Sequence, residues 1–97
     1  MSRRVELRPA AERDLDRLAE FVAQLDPRAG DKRERDLREA LRKLGERPFK
    51  GRPGPQANLR QLTIRFGRSS YLIRYRVTDD AVIVTRIWHG KEDRPPR

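Results

Sequence analysis

Few side chains in this sequence could carry out covalent or metal chemistry. The chain has no cysteine and a single histidine, His89, so disulfides and thiolate-bound metals are excluded and a zinc site is not expected. Ser69 and Ser70 have no histidine partner that the sequence identifies. The glycine-rich residues 51–54 hold a proline, Pro53, where a phosphate-binding loop needs a backbone amide. We therefore expect no metal and no cofactor.

Positive charge is the property with the most bearing on function. The net charge is +9 over 97 residues, and residues 47–97 hold +8 of it, whereas residues 9–46 stand at −1. Codon bias in a GC-rich genome explains why 20 of the 24 basic residues are arginine, but it does not explain the uneven distribution. Such asymmetry is typical of a surface that meets a polyanion. We therefore predict a cationic face built from the second half of the chain.

The first half of the chain predicts a helical hairpin. Pro9 fits the first turn of a helix, and apolar residues then recur at spacings of three and four, the stripe of an amphipathic helix. Asp26 and Pro27 end this helix and begin a second one, with Asp26 as its cap. Gly45 ends the second helix. The short link makes the two helices antiparallel neighbours.

Four strands are predicted around this hairpin. Residues 4–7 precede it, and residues 61–66, 71–77 and 81–88 follow a proline-rich loop over residues 47–58. The last strand is mostly apolar, which indicates a central position. The predicted fold is α+β in the order β-α-α-β-β-β, a mainly antiparallel twisted sheet with the hairpin on one face. One domain is expected over residues 1–97, with a loose tail over residues 92–97.

The two-residue period of a strand decides where its charges point. If Leu62 and Ile64 face the helices, Arg65 points away from them, and burying a cation without a partner would be costly. The second face of the sheet is therefore expected to be open and basic, and concave because sheets twist. Its expected members are Arg65, Arg74, Arg76 and Arg86, with Lys91 and Arg94 at one edge and Lys50 and Arg52 on the loop.

No targeting or membrane segment is expected. The first residues alternate charged and apolar side chains, unlike a signal peptide. No apolar stretch approaches the roughly 18 residues that a membrane span needs. The sequence thus predicts a cytoplasmic location.

Four segments together resemble the RelE/ParE toxin family. They are LRPAAERDLDRLAEFV, LREALRKLGERPFKGRPG, LRQLTIRFGRSSYLIRYRV and AVIVTRIWHGKEDR, which span about residues 4–94. The YLIRYRV strand and the IWHGK end are the most specific parts. The resemblance implies the toxin of a type II toxin–antitoxin pair, a protein that arrests growth until an acidic antitoxin binds it. It also implies a hetero-oligomer in which the antitoxin reads the operator DNA.

The resemblance leaves two targets. ParE-like members inhibit DNA gyrase, and the helix start, the PFKGRP loop and the Trp-His end are closer to ParE. RelE-like members cut messenger RNA on the ribosome without metal, and their pattern implies catalytic roles for Arg65, His89 and Lys91. The terminal tyrosine of the RelE pattern is missing. Gyrase inhibition is therefore the preferred function, and the target-binding candidates are Arg74, Arg76, Arg86, Arg94, Lys50 and Arg52.

Two interpretations stay open beside these. The chain could be an inactive paralogue that binds only an antitoxin or nucleic acid. Tyr71, Tyr75 and Trp88 are assigned to antitoxin contact, because aromatic side chains anchor partners. Their alternation with apolar residues fits a place in the core as well.

Overall fold

The computed structural model describes residues 2–56 and 58–92. The elements along the chain are β1 (Arg4–Leu7), α1 (Pro9–Leu25), α2 (Gly30–Lys43), β2 (Arg52–Pro53), β3 (Leu59–Phe66), β4 (Ser69–Val77) and β5 (Ala81–His89). The strands form one sheet in the order β1-β5-β4-β3-β2, in which β1 runs parallel to β5 and the other pairs are antiparallel. The predicted α+β fold is confirmed. The apolar β5 lies inside the sheet between β1 and β4.

The link between the helices differs from the prediction. Asp26 does not cap α2, because its side chain accepts the Arg28 amide at 3.1 Å and its carbonyl accepts the Ala29 amide at 3.0 Å. These bonds form a tight turn, and α2 begins only at Gly30. A side chain at Gly30 would place its Cβ 3.0 Å from the Ala19 carbonyl oxygen, so glycine lets the helices approach closely.

The core lies between the helical hairpin and one face of the sheet. Fourteen buried side chains form it: Ala11, Leu15, Leu18, Val22, Leu37, Leu41, Leu44, Tyr71, Ile73, Tyr75, Val77, Val82, Val84 and Ile87. Each fully buried leucine, isoleucine or valine contributes about 1.5–3 kcal/mol. The apolar stripe of each helix packs on the apolar face of the sheet. This arrangement explains why the spacing of apolar residues in the sequence predicted where the helices and most of the strands lie.

A β-bulge in β5 sets which of its side chains face the helices. Arg74 pairs with Arg86, but the next residue, Tyr75, pairs with Val84. Thr85 is therefore the extra residue, and its hydroxyl donates to the Arg74 carbonyl at 3.1 Å. Without the bulge, the two-residue period would put Arg86 on the same face as Val84. The bulge turns it to the opposite face.

The proline-rich loop contains a strand that the sequence did not predict. Arg52 and Pro53 pair with Gln61 and Arg60 at the edge of the sheet. Proline is tolerated there because an edge strand need not donate every amide to a ladder. Within the described residues, neither helix has the length and apolar character needed to cross a membrane.

Candidate functional site

The sheet face that is turned away from the helices is basic. We call it the outer face. The cations on it are Arg52, Arg65, Arg74, Arg76 and Arg86. Gln61 joins Arg52 to Arg74 in one cross-strand row that continues to Arg86. The strand period predicted the positions of Arg65, Arg74 and Arg76, whereas Arg86 reaches this face through the bulge and Arg52 through a strand that was not predicted. The role of these side chains in target binding stays a prediction.

A hollow of about 850 Å³ opens at the β2–β3 end of the outer face. Lys50, Arg52 and Arg65 line it, and no carboxylate among the described residues does. None of the three cations has an ion-pair partner within the described part of the chain. A concave wall with unpaired charges of one sign concentrates the field and attracts an anion. We call this space the basic hollow.

Arg86 is not free, contrary to the sequence prediction. Its guanidinium donates to the carboxylate of Asp14 on α1, at 2.8 Å from Nε and 3.2 Å from Nη2. Strand β1 ends at Leu7, which pairs with Val84, so beyond Val84 the edge of β5 that faces away from β4 has no strand neighbour. The Asp14 carboxylate, in a residue only 2% exposed, fills the gap and also accepts the Ile87 amide at 2.8 Å.

Two further side chains extend this pairing into what we call the Asp14 network. Arg17 donates to Asp14, to the Ile87 carbonyl at 3.0 Å and to Glu92 at 2.8 Å. Burial alone would raise the pKa of both carboxyls. Hydrogen bonds from the guanidiniums and from backbone amides outweigh burial and hold the pKa of Asp14 and of Glu92 below the usual values.

The network also bears on the C-terminal prediction. Glu92, expected to begin a loose tail, is held by Arg17 and accepts the His89 amide at 3.0 Å. That part of the tail prediction is wrong. Arg94, a candidate target-binding residue, lies outside the described residues with the rest of the tail.

Trp88 is covered rather than presented to a partner. It is 3% exposed, and the guanidinium carbons of Arg74 and Arg86 lie 4.9 and 5.0 Å from its ring. Such stacking is a cation–π contact. The assignment of Trp88 to antitoxin contact does not fit this arrangement, because both arginines would have to move first.

The two tyrosines assigned to antitoxin contact belong to the core instead. Tyr71 and Tyr75 are each 0% exposed because their positions on β4 face the helices. The Tyr75 hydroxyl donates to the Pro48 carbonyl and accepts the Gly51 amide, both at 2.8 Å. Its role is therefore to anchor the loop before β2, which sequence reasoning missed.

His89 faces the core and cannot reach a substrate. It is 1% exposed, its ring lies 5.0 Å from those of Phe21 and Tyr71, and its Nδ1 accepts the Lys91 amide at 3.0 Å. Burial lowers its pKa. The assignment of His89 as a nuclease acid or base is therefore wrong in this structure.

The other two nuclease candidates remain accessible and come to the same end of the sheet. Arg65 pairs with Ser70, whose carbonyl accepts the Gly90 amide at 2.8 Å. Lys91 follows Gly90 directly, and both cations are exposed. Arg65 and Lys91 therefore lie at the same end of the sheet, and His89 lies on the face opposite to Arg65. The described residues hold no cluster of potential metal ligands.

We expect the stability of the protein to fall as the pH drops below about 6.5. Folding lowers the pKa of His89, so on acidification the unfolded chain takes up a proton at a higher pH than the folded chain does. This protonation stabilises the unfolded state and therefore lowers the free energy of unfolding. The loss is at most about 1.4 kcal/mol per pH unit. Urea unfolding at about pH 7.5 and about pH 5.5 measures it. The variant His89→Asn keeps an acceptor for the Lys91 amide and should not show the part of the decrease that comes from His89. An equal decrease in the parent protein and in the variant would contradict the prediction.

A second hollow, of about 520 Å³, lies between β1 and α2. The Arg4 and Arg8 amides bond to Asp80 and Val84 on the β5 side, so by parallel-strand alternation the backbone groups of residues 5 and 7 point outward. Five cations and two carboxylates line this β1–α2 groove, with an apolar floor: Arg3, Arg4, Arg38, Arg42, Lys43, Glu39, Glu46, Val5, Leu7 and Leu41. An open strand edge beside apolar side chains is suited to receive an extended segment.

Sequence and structure comparisons find relatives of known type. The family model described as the ParE toxin of the type II toxin–antitoxin system, parDE, matches residues 5–94. Toxin RelE1 of Caulobacter vibrioides is 46% identical over 85 residues, which cover 87% of this chain and 89% of that protein. Toxin RelE3 of the same organism is 37% identical over 90 residues, 93% of this chain and 97% of that protein.

One solved structure resembles the fold closely. It is the chromosomal ParDE TA system from P. aeruginosa, which superposes with a TM-score of 0.72 and 22% sequence identity. The match covers 89% of this chain and 94% of that chain. At this identity the likeness bears on the fold alone.

Proposed function

Because this chain belongs to the ParE toxin family of type II toxin–antitoxin systems, we propose that it arrests growth by inhibiting DNA gyrase in the cytoplasm until an antitoxin binds it. The burial of His89 carries this proposal. A ribonuclease without metal needs a group that moves protons at the substrate, and the single histidine of the chain is 1% exposed behind the sheet. Gyrase inhibition by binding needs no such group.

The ribonuclease function remains the second candidate, on two observations. Arg65 and Lys91 lie at one end of the sheet, and the basic hollow beside Arg65 could hold a phosphate chain. The relatives Toxin RelE1 and Toxin RelE3 also carry RelE names. In this alternative the ribosome and messenger RNA would be the partners.

We assign the antitoxin to the β1–α2 groove. Its floor is apolar. On its rim, Arg3 and Lys43 have no ion-pair partner among the described residues, whereas Arg4, Arg38 and Arg42 are already paired with carboxylates. A segment that brings an acidic group to Arg3 and Lys43 and apolar side chains to the floor would complement this groove. Such a segment would add a strand to the free edge of β1 through the backbone groups of Val5 and Leu7. Operator DNA would then be bound by the antitoxin.

Two assays run side by side separate the targets. We expect the purified chain to inhibit supercoiling by gyrase and to leave ribosome-bound messenger RNA intact. In cells, we expect induced expression of the chain to stop growth. Codon-specific cuts with active gyrase would overturn the gyrase proposal in favour of the ribonuclease. Normal growth at high expression, with neither target affected, would show an inactive paralogue.

A matched pair of variants tests the ribonuclease alternative directly. If messenger RNA is cut, Arg65→Ala should slow cutting by about 100- to 1,000-fold, the effect of removing one group that stabilises the transition state. Arg35→Ala removes the same charge from an exposed position on α2 and should leave the rate unchanged. Equal rates for the two variants would show that the outer face is not the cutting site.

A further inference from the structure

The loop that joins α2 to β2 presents an aromatic ring among cations. Phe49 is 58% exposed, and the guanidinium carbons of Arg3 and Arg60 lie 5.3 and 4.9 Å from its ring centroid. Neither arginine has an ion-pair partner among the described residues. Arg3 donates through Nε to the Thr78 carbonyl, and Arg60 donates through Nη1 to the Phe49 and Gly51 carbonyls. Their other guanidinium N–H groups make no hydrogen bond within the described residues and can meet a ligand.

The loop holds this ring in a defined position. The buried Tyr75 hydroxyl bonds to the Pro48 carbonyl and the Gly51 amide. Arg60 donates to the Gly51 carbonyl at 2.7 Å. A Cβ at Gly51 would lie 2.5 Å from the Tyr75 hydroxyl oxygen, so only glycine fits under this bond. A ligand at Phe49 would therefore meet a preorganised surface and lose little affinity to ordering the loop.

A hollow of about 350 Å³ beside Phe49 connects this ring to the basic hollow. Pro53, Gly54 and Pro55 line both spaces, so the two meet across the β2 edge of the sheet. No described carboxylate lines either one. We call the combined path the edge track. Its cations, from the outer face round to Phe49, are Arg65, Arg52, Lys50 and Arg60. Arg3 lines neither hollow and adjoins the track through its stacking on Phe49.

We propose that the edge track binds single-stranded nucleic acid, with an unpaired base stacked at Phe49 and phosphates along the cations. Aromatic rings that alternate with cations along a groove are the usual platform for single strands. A duplex keeps its bases stacked internally and has none to offer to Phe49. An acidic peptide fits less well, because the electron-rich face of the ring does not attract carboxylates. This binding goes beyond gyrase inhibition and involves no bond cleavage.

Fluorescence anisotropy with labelled oligonucleotides of about 12 nucleotides tests the proposal on the full chain. We expect Phe49→Ala to weaken binding of single strands by about 5- to 100-fold, the loss of one stacked base. Leu25→Ala is the matched control, because Leu25 is 60% exposed at the end of α1, away from the edge track. It should bind as the parent does. Duplex binding should be the same for the parent and for Phe49→Ala.

Two further measurements identify the preferred nucleic acid and test whether it follows the edge track. DNA and RNA strands of one sequence show which sugar is preferred, and Arg65→Ala should lower the salt slope of binding by about one phosphate contact. The proposal is overturned if Phe49→Ala and Leu25→Ala bind single strands equally, or if polyglutamate competes as well as an oligonucleotide does. Because the ring is exposed, circular dichroism should show Phe49→Ala folded. The supercoiling assay is separate, so either proposal can fail alone.

Discussion

Replacing Asp14 with alanine is expected to lower the free energy of unfolding by about 3 kcal/mol, the lower end of the cost of removing one partner of a buried ion pair. The variant leaves the buried Ile87 amide without an acceptor, and Arg86 and Arg17 lose their shared carboxylate. We take the lower end because the two guanidiniums are partly exposed and can recruit water. Urea denaturation at neutral pH measures the loss.

The control for this experiment lies two residues along the same helix. Asp16 is exposed and has no ion-pair partner among the described residues, so Asp16→Ala should change stability by less than about 0.5 kcal/mol. Folding lowers the pKa of Asp14 below its ordinary value of 3.8. The contribution of Asp14 to stability is therefore complete above about pH 3.8 and is lost as the pH falls further. Equal stability of Asp14→Ala and Asp16→Ala would show that the Asp14 network does not stabilise the fold.

Replacing Gly45 with alanine should destabilise the protein by about 2–3 kcal/mol, the upper range for overpacking a closed site. A Cβ at Gly45 would overlap the carbonyl oxygen of Arg3 and press on Val5. The Gly45 carbonyl also accepts the Arg3 amide at 2.8 Å, and this bond would be strained. Thermal unfolding gives the change in stability, and titration with the antitoxin shows whether the β1–α2 groove is still formed.

Gly90 supplies the comparison for Gly45. The nearest atom to a Cβ at Gly90 is the Ser70 hydroxyl oxygen, the end of a side chain that can rotate away. Gly90→Ala should therefore cost less than Gly45→Ala, where the obstacle is backbone. If the two variants unfold at the same temperature, the contact between β1 and the end of α2 is more adaptable than the structure indicates.

Arg3 places the two proposed binding surfaces side by side. Its side chain lines the β1–α2 groove and also stacks on Phe49, and its Nε donates to the Thr78 carbonyl at 2.9 Å. An antitoxin carboxylate in the groove would therefore lie next to the edge track. The outer face, on the other side of the sheet, would remain open.

The sequence by itself was sufficient for both helices, for every strand except β2, and for most of the outer face. A strand's two-residue period and a helix's stripe each report which side meets the core, since a buried unpaired charge costs more than local preferences can offset. Strand β1 was therefore predicted over residues 4–7, and Arg65 and Arg76 were predicted to point away from the helices.

Only the tertiary structure decided the partners of individual groups. The bulge at Thr85, the pairing of Asp14 with Arg86 and the anchoring of a loop by Tyr75 join residues 11 to 72 positions apart. His89 and the two tyrosines were misassigned for the same reason. Periodicity shows that a side chain faces a layer, but the order of strands in the sheet decides whether that layer leaves the side chain open to solvent or closes over it.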